Sequence, residues 1–270
     1  MAHRDGACFA DASWFMPNAG RTGAEAFGEA RIPGAVHFDI DAVCDPTSDL
    51  PHMAPGAARF ERWLAEAGFS GDGRFIIYDQ NGFLASARAW WTFRRFGLKA
   101  CVLDGGMAAW RAEGGPLETG AAKPHASVMA GPGRAIRDDA LSWADVLHHV
   151  EAGDATIVDA RSYDRFSGEG PEPRPGLPSG HIPGSRSLPF QTLIGEGGRL
   201  LRGETLNDVL QGAVGGPSRS GRIICSCGSG VTAAILHLAF TEAGYDDVWL
   251  YDGSWTEWAG RGDLPVESTA

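Results

Sequence analysis

Two thiols, Cys225 and Cys227, close the apolar run Arg222-Ile-Ile-Cys-Ser-Cys, and Gly228-Ser-Gly-Val-Thr232 follows directly. A short glycine-rich loop that enters a helical stretch, here Ala233 to Ala243, turns backbone N–H groups inward. The helix N-terminus adds positive potential. A cysteine at the mouth of such a loop is stabilised as the thiolate, so the chemistry within its reach is nucleophilic. The same spacing also suits a small buried thiol at a strand end, with glycines that serve only the turn, because free cysteine is commonly buried. The loop by itself leaves both readings open.

The elements that position this loop occur twice. FADASW at 9–14 is echoed by IVDARSY at 157–163, and IPGAVHFD at 32–39 by IPGSRSLPF at 182–190. GRFIIYDQNG at 73–82 returns as GRIICSCGSG at 221–230, and VLDGGMAAW at 102–110 as LYDGSWTEW at 250–258. Four blocks in one order, at offsets of 148 to 150 residues, identify a duplicated domain. Short apolar runs (RFIIYD, ATIVDA, RIICSC, DVWLYD) alternate with amphipathic patterns (GAARFERWLAEAG, LSWADVLHHVEAG, TAAILHLAFTEAG). That alternation predicts an α/β fold, with a mainly parallel sheet flanked by helices in each half. Ligands of such sheets sit beyond the carboxyl ends of the strands, which is where residues 79–84 and 227–232 should lie. The Gly/Pro/Ala-rich segment 114–133 has linker composition. The expected domains are therefore 1–120 and 132–270, the second carrying Cys227.

The duplication also weighs on rival readings of the loop. Gly228-x-Gly230-x-x-Ala233 formally matches a dinucleotide fingerprint, with Asp252 about twenty residues further on. The first copy has no comparable glycine pattern after Asp79, however, and the match sits late in the chain. A cysteine phosphatase needs an arginine closing the loop, and Thr232 and Ala233 stand there instead. A Cys225–Cys227 disulfide would need a strained tight ring. Cys225 reads as a buried strand residue. No spaced set of metal ligands accompanies the two thiols.

Composition narrows the partners. The 270 residues are 43% apolar and 21% charged, as in a globular protein, with a net charge of −11. Nucleic acids and anionic membranes call for a basic footprint, so neither is expected as a partner. An anionic substrate would depend on a local cluster of arginines. The apolar run Val231–Phe240 is too short to span a bilayer, and the first residues carry no apolar signal core. Five cysteines, an odd number, suit reduced thiols, and a cytoplasmic monomer is the expectation.

Taken together, these residues resemble a known family. CGSGVTA at 227–233 is similar to the active-site loop of the 3-mercaptopyruvate sulfurtransferases, a branch of the tandem-rhodanese enzymes. The similarity runs along nearly the whole chain, through DASWFMP (11–17), IPGAVHFDID (32–41), HMAPG (52–56), DGGMAAW (104–110), GPEPRPG (170–176), GHIPGS (180–185) and YDGSWTEW (251–258). The resemblance implies two tandem rhodanese-like domains, of which the C-terminal copy holds the nucleophile. Asp79 and Gln80 stand where the first copy would carry the cysteine. By the same resemblance Cys227 forms a persulfide. Ser229, His52 and Asp41 relay a proton, with Asp41 and His52 coming from the other domain. Arg165 and Arg174 bind the donor's carboxylate and ketone, and the backbone of Gly228, Ser229, Gly230, Val231 and Thr232 cradles the sulfur. Read without the family, Asp41, His52 and both arginines could equally be solvated loop residues. Ser229 could equally be a turn-former beside two glycines. The implied reaction is ping-pong: a small anionic donor loads Cys227, and a thiol, thioredoxin or cyanide accepts the sulfur, with no metal or other cofactor. The neutral Gly228-Ser229 pair favours 3-mercaptopyruvate over thiosulfate, since thiosulfate-preferring relatives carry cations there. Leu84 stands where many relatives have tyrosine, and Ala234 where some have cysteine. A thiosulfate-preferring rhodanese and a non-catalytic persulfide relay are the alternatives.

Overall fold

The computed structural model describes residues 7–16, 18–69, 73–121 and 135–269. They fall into two compact units. The first runs up to Thr47 and adds Ala54–Asp138 and Glu196–Arg199; the second takes Ser48–Met53, Asp139–Gly195 and the chain from Leu200 onward. Most of the expected linker, from residue 122 to 133, lies outside the described residues.

The first unit is built on β1 (Ala7–Asp11), β2 (Val36–His37), β3 (Arg74–Tyr78) and β4 (Lys99–Val102), in the order β2-β1-β3-β4. All three pairings are parallel. Parallel neighbours need crossovers, and α1 (Gly23–Glu29), α2 (Ile40–Val43), α3 (Ala57–Glu66) and α4 (Ser86–Arg95) supply them, with α5 (Gly106–Ala112) after β4. Helix α1 starts where Thr22 and Glu25 form a capping box, which satisfies N–H groups that the first turn leaves unpaired. An aromatic cluster fills this unit. Phe60 stacks on Phe96 at 4.3 Å, while Phe38 and Phe75 meet Phe93 edge-on at 5.1 and 4.9 Å. Such pairs add about 0.5–1.5 kcal/mol each beyond burial.

The second unit holds β5 (Ala140–Leu141), β6 (Ala155–Asp159), β7 (Arg186–Ser187), β8 (Arg222–Ser226) and β9 (Val248–Tyr251), in the order β5-β9-β8-β6-β7, again all parallel. Without β5 this is the first sheet's order, strand for strand, and each of the four repeated sequence blocks overlaps one of the repeated strands. Its helices are α6 (Trp143–Ala152), α7 (Tyr163–Ser167), α8 (Gly203–Val214), α9 (Ala233–Glu242) and α10 (Ser254–Arg261). Helix α9 is buried from Ala233 to Phe240. A helix enclosed on every side is apolar all round, which accounts for the continuous run seen in the sequence. Ile157, Ile224, Tyr251, Trp255 and Trp258 form part of the core around β8. No helix among the described residues is long and apolar enough to cross a membrane.

Candidate active site

Strand β8 is central, and it stops at Ser226, so Cys227 emerges from the carboxyl end of the sheet. Cys227 is only 2% exposed. The chain then turns through Gly230, whose φ of 76° lies in the left-handed region that glycine adopts without steric cost, and enters α9. The start of α10 pins this loop from beneath. Ser254 Oγ accepts the N–H groups of Cys227 and Gly230, each at 3.1 Å, and donates to the Tyr251 carbonyl at 2.8 Å. The same oxygen lies 4.0 Å from Cys227 Sγ. The Trp255 N–H donates to the Cys227 carbonyl at 2.9 Å. The Gly228 carbonyl accepts from the Thr256 N–H and hydroxyl at 3.0 and 2.6 Å. No group among the described residues accepts the N–H of Ser229, Val231 or Thr232. These donors, with the N-terminus of α9 beside them, suit an anion.

A guanidinium stands over this loop. Arg165 comes from α7, and its Nη2 lies 3.0 Å from where a Cβ on Gly228 would be. Glu172 holds it in place, accepting from Arg165 Nε at 3.1 Å and from Nη2 at 2.6 Å. The same carboxylate accepts from Arg161 Nη1 at 2.7 Å. Arg161 in turn pairs with Asp159 at 2.6 Å, donates to the Gly180 carbonyl and lies over the Trp255 ring. Arg165 and the Cys227 loop are thus brought together. Arg174 is half-buried in the same proline-rich stretch as Glu172. Sequence reasoning passed over Arg161, Glu172, Ser254 and Thr256, although all four stand inside repeated or family-like blocks already singled out.

The other expected residues are placed as follows. Ser229 is 9% exposed and Val231 is buried, while Thr232 is half-buried at the entry to α9. His52 is 8% exposed, has a left-handed φ of 62° and falls within the Ser48–Met53 segment of the second unit. Asp41 belongs to the first unit, is exposed in the only turn of α2, and accepts the Trp14 indole N–H at 2.7 Å. Burial pushes the thiols of Cys225, Cys8 and Cys44 up, and the neighbouring Cys227 raises Cys225 further. Each shift disfavours the thiolate a nucleophile needs. Cys101 is exposed on the edge strand β4.

The first unit contains the same loop in another state. Asp79 occupies the position of Cys227, and its buried carboxylate accepts the N–H groups of Phe83, Ala85 and Ser86 at 2.9, 3.2 and 3.0 Å. Met107 N–H donates to the Asp79 carbonyl at 2.9 Å, just as Trp255 N–H does to Cys227. The first copy thus folds the same cradle around a carboxylate of its own.

Comparisons with known proteins agree with this architecture. The rhodanese-like domain model matches residues 21–113 and again 142–261. The chain is 42% identical over 250 residues to the 3-mercaptopyruvate sulfurtransferase of Escherichia coli K12, covering 92% of this chain and 86% of that protein. It is 37% identical over 278 residues to the mitochondrial thiosulfate/3-mercaptopyruvate sulfurtransferase 1 of Arabidopsis thaliana, covering 96% and 73%. The crystal structure of SseA, a 3-mercaptopyruvate sulfotransferase from Escherichia coli, superposes with a TM-score of 0.81 at 37% identity, covering 93% of this chain and 94% of that one. The chain belongs to the rhodanese family, as a sulfurtransferase built of two rhodanese-like domains.

Proposed function

We propose that this enzyme takes sulfur from 3-mercaptopyruvate, holds it as a persulfide on Cys227 and passes it to a thiol, thioredoxin or cyanide acceptor. The observation that carries the reading is the Arg165 guanidinium at Gly228, beside a buried cysteine loop with unused N–H donors. A carboxylate bound to Arg165 and Arg174 would place the donor sulfur at Cys227. The Cys227 thiolate attacks that sulfur, the carbon–sulfur bond breaks, and its electron pair leaves on pyruvate as the enolate. A proton taken up by the enolate gives pyruvate. The acceptor thiolate then attacks the outer sulfur and returns Cys227 as thiolate. The cradle of Gly228, Ser229, Gly230, Val231 and Thr232 holds the anionic persulfide between the two steps. Ser229, His52 and Asp41 are assigned the proton transfer on the family resemblance alone. Five free cysteines suit a reducing compartment, and we place the enzyme in the cytoplasm as a monomer.

Thiosulfate is the rival donor, since the Arabidopsis thaliana relative is named for both. Gly228 and Ser229 offer no cationic side chain to a second negative charge, which favours the monoanionic donor. Intact-mass measurement after treatment with each donor tests the reading. The wild type should gain one sulfur, faster from 3-mercaptopyruvate, and Cys227→Ser none. Sulfur mapped to Cys225, Cys8, Cys44 or Cys101 would overturn the assignment, and faster loading from thiosulfate would overturn the donor.

A further inference from the structure

Beside a site assigned to an anionic donor stands a carboxylate. Glu172 has a side chain only 3% exposed and lies on two guanidiniums at once, Arg161 at 2.7 Å and Arg165 at 2.6 Å. Such a group repels a donor carboxylate unless its charge is balanced, and a buried carboxylate is retained only where it is paired. The four charges form a chain, Asp159–Arg161–Glu172–Arg165, in which negative and positive alternate and sum to zero. Arg161 is fully buried and Asp159 nearly so, which leaves Arg165, 21% exposed, as the one member open to a ligand.

This geometry has two consequences. Glu172 takes the Nε and Nη2 edge of Arg165, so the fork cannot swing away and Nη1 remains free of that carboxylate. A guanidinium carries five N–H donors in a fixed plane, so holding one edge orients the others. Glu172 also cancels the charge of the group it orients. With Arg174, the second arginine of the proposed donor site, the pocket then carries one positive charge, which a monoanion balances and which leaves a second negative charge unmatched. Without Glu172 the cluster would carry one net positive charge. By Coulomb's law a dianion would gain about twice what a monoanion gains from it.

We propose that Glu172 is the positioning residue that aims Arg165 at the donor and, by cancelling its charge, makes the site prefer a monoanionic sulfur donor to a dianionic one. The inference rests on the Cys227–Arg165 reading above. Its test is the rate of Cys227 persulfide formation from 3-mercaptopyruvate and from thiosulfate in the wild type, Glu172→Gln, Glu172→Asp and Arg165→Ala. A merely structural role would slow both donors by one factor. In Glu172→Gln we expect the 3-mercaptopyruvate rate constant to fall, and the ratio of thiosulfate to 3-mercaptopyruvate efficiency to rise by about tenfold. Glu172→Asp keeps the charge but not the reach, so both donors should slow with the ratio unchanged; a raised ratio there would overturn the charge argument even if the glutamine variant does not fold. An unchanged ratio in Glu172→Gln, or a raised one in Glu172→Asp, would overturn the role of Glu172 while an Arg165→Ala defect leaves the donor site standing. Wild-type loading from 3-mercaptopyruvate in Arg165→Ala would sink the donor site and, with it, this inference.

Discussion

Removing the Ser254 hydroxyl tests whether the reactive loop is held by α10. In Ser254→Ala the Cys227 N–H loses its acceptor at a fully buried position, and the Gly230 N–H loses its bond to the hydroxyl. A buried donor left unsatisfied costs about 1–3 kcal/mol and a lost hydrogen bond about 0.5–1.5 kcal/mol, so the two together should cost about 2–4 kcal/mol. That is a large part of the 5–15 kcal/mol typical of a domain. The backbone sharpens the test. Ser254 has a φ of 49°, and its counterpart in the first copy is Gly106 at 56°. A side chain held there costs about 1–2 kcal/mol, which glycine avoids. Ser254→Gly loses the same hydrogen bonds and recovers the strain, so stability should run wild type, then glycine, then alanine. Urea unfolding followed by fluorescence measures the order, and persulfide loading should fall about tenfold in both variants as the loop loosens. An alanine variant as stable as the wild type, or more stable than the glycine one, would refute the clamp.

Arg165→Ala and Arg174→Ala should each lower donor kcat/KM by roughly ten- to hundredfold, from the 1.5–3 kcal/mol of a charge-assisted bond. Release of sulfur from a pre-formed Cys227 persulfide should change much less in both, and near-wild-type donor kinetics would place these arginines outside the pocket. In the first unit Asp79→Ala strands three buried N–H groups. It should cost about 3–5 kcal/mol, allowing for non-additivity; a urea-unfolding shift below about 1 kcal/mol would show that the cradle does not need its carboxylate.

Regular structure was legible in the sequence because period and burial agree there. RFIIYD, ATIVDA, RIICSC and DVWLYD are strands at 74–78, 155–159, 222–226 and 248–251, and the three helical patterns are α3, α6 and α9. Cys227 was legible as the residue between a central strand and a glycine-rich helix entry. Ser254 was not, because YDGSWTEW reads locally as an ordinary helix start, and the left-handed turn arises from packing against the loop. The repeat held the missing signal: Gly106 aligns with Ser254, and a glycine replaced by serine where φ is positive implies a task for the hydroxyl. Glu172 was hidden for another reason. Between prolines it reads as solvated loop, and only the fold brings Arg161 and Arg165 to it from either side of the start of α7.

The two copies solve one electrostatic problem in two ways. A loop with N–H groups converging beside a helix N-terminus is costly to leave without an anion, since those donors are withdrawn from water. The first copy meets the cost with Asp79, whose carboxylate is bonded to three of them and leaves no vacancy for a ligand. On the proposed mechanism the second copy cannot do so and still react, because the anion its loop would hold is the transferred sulfur. Its loop is stabilised from the other side instead, by Ser254 and Thr256, which bind donors and a carbonyl that point away from the reacting face. The strained serine in α10 is therefore part of the same design as the inward-facing N–H groups of the loop. It holds the loop in shape while the reacting face stays open.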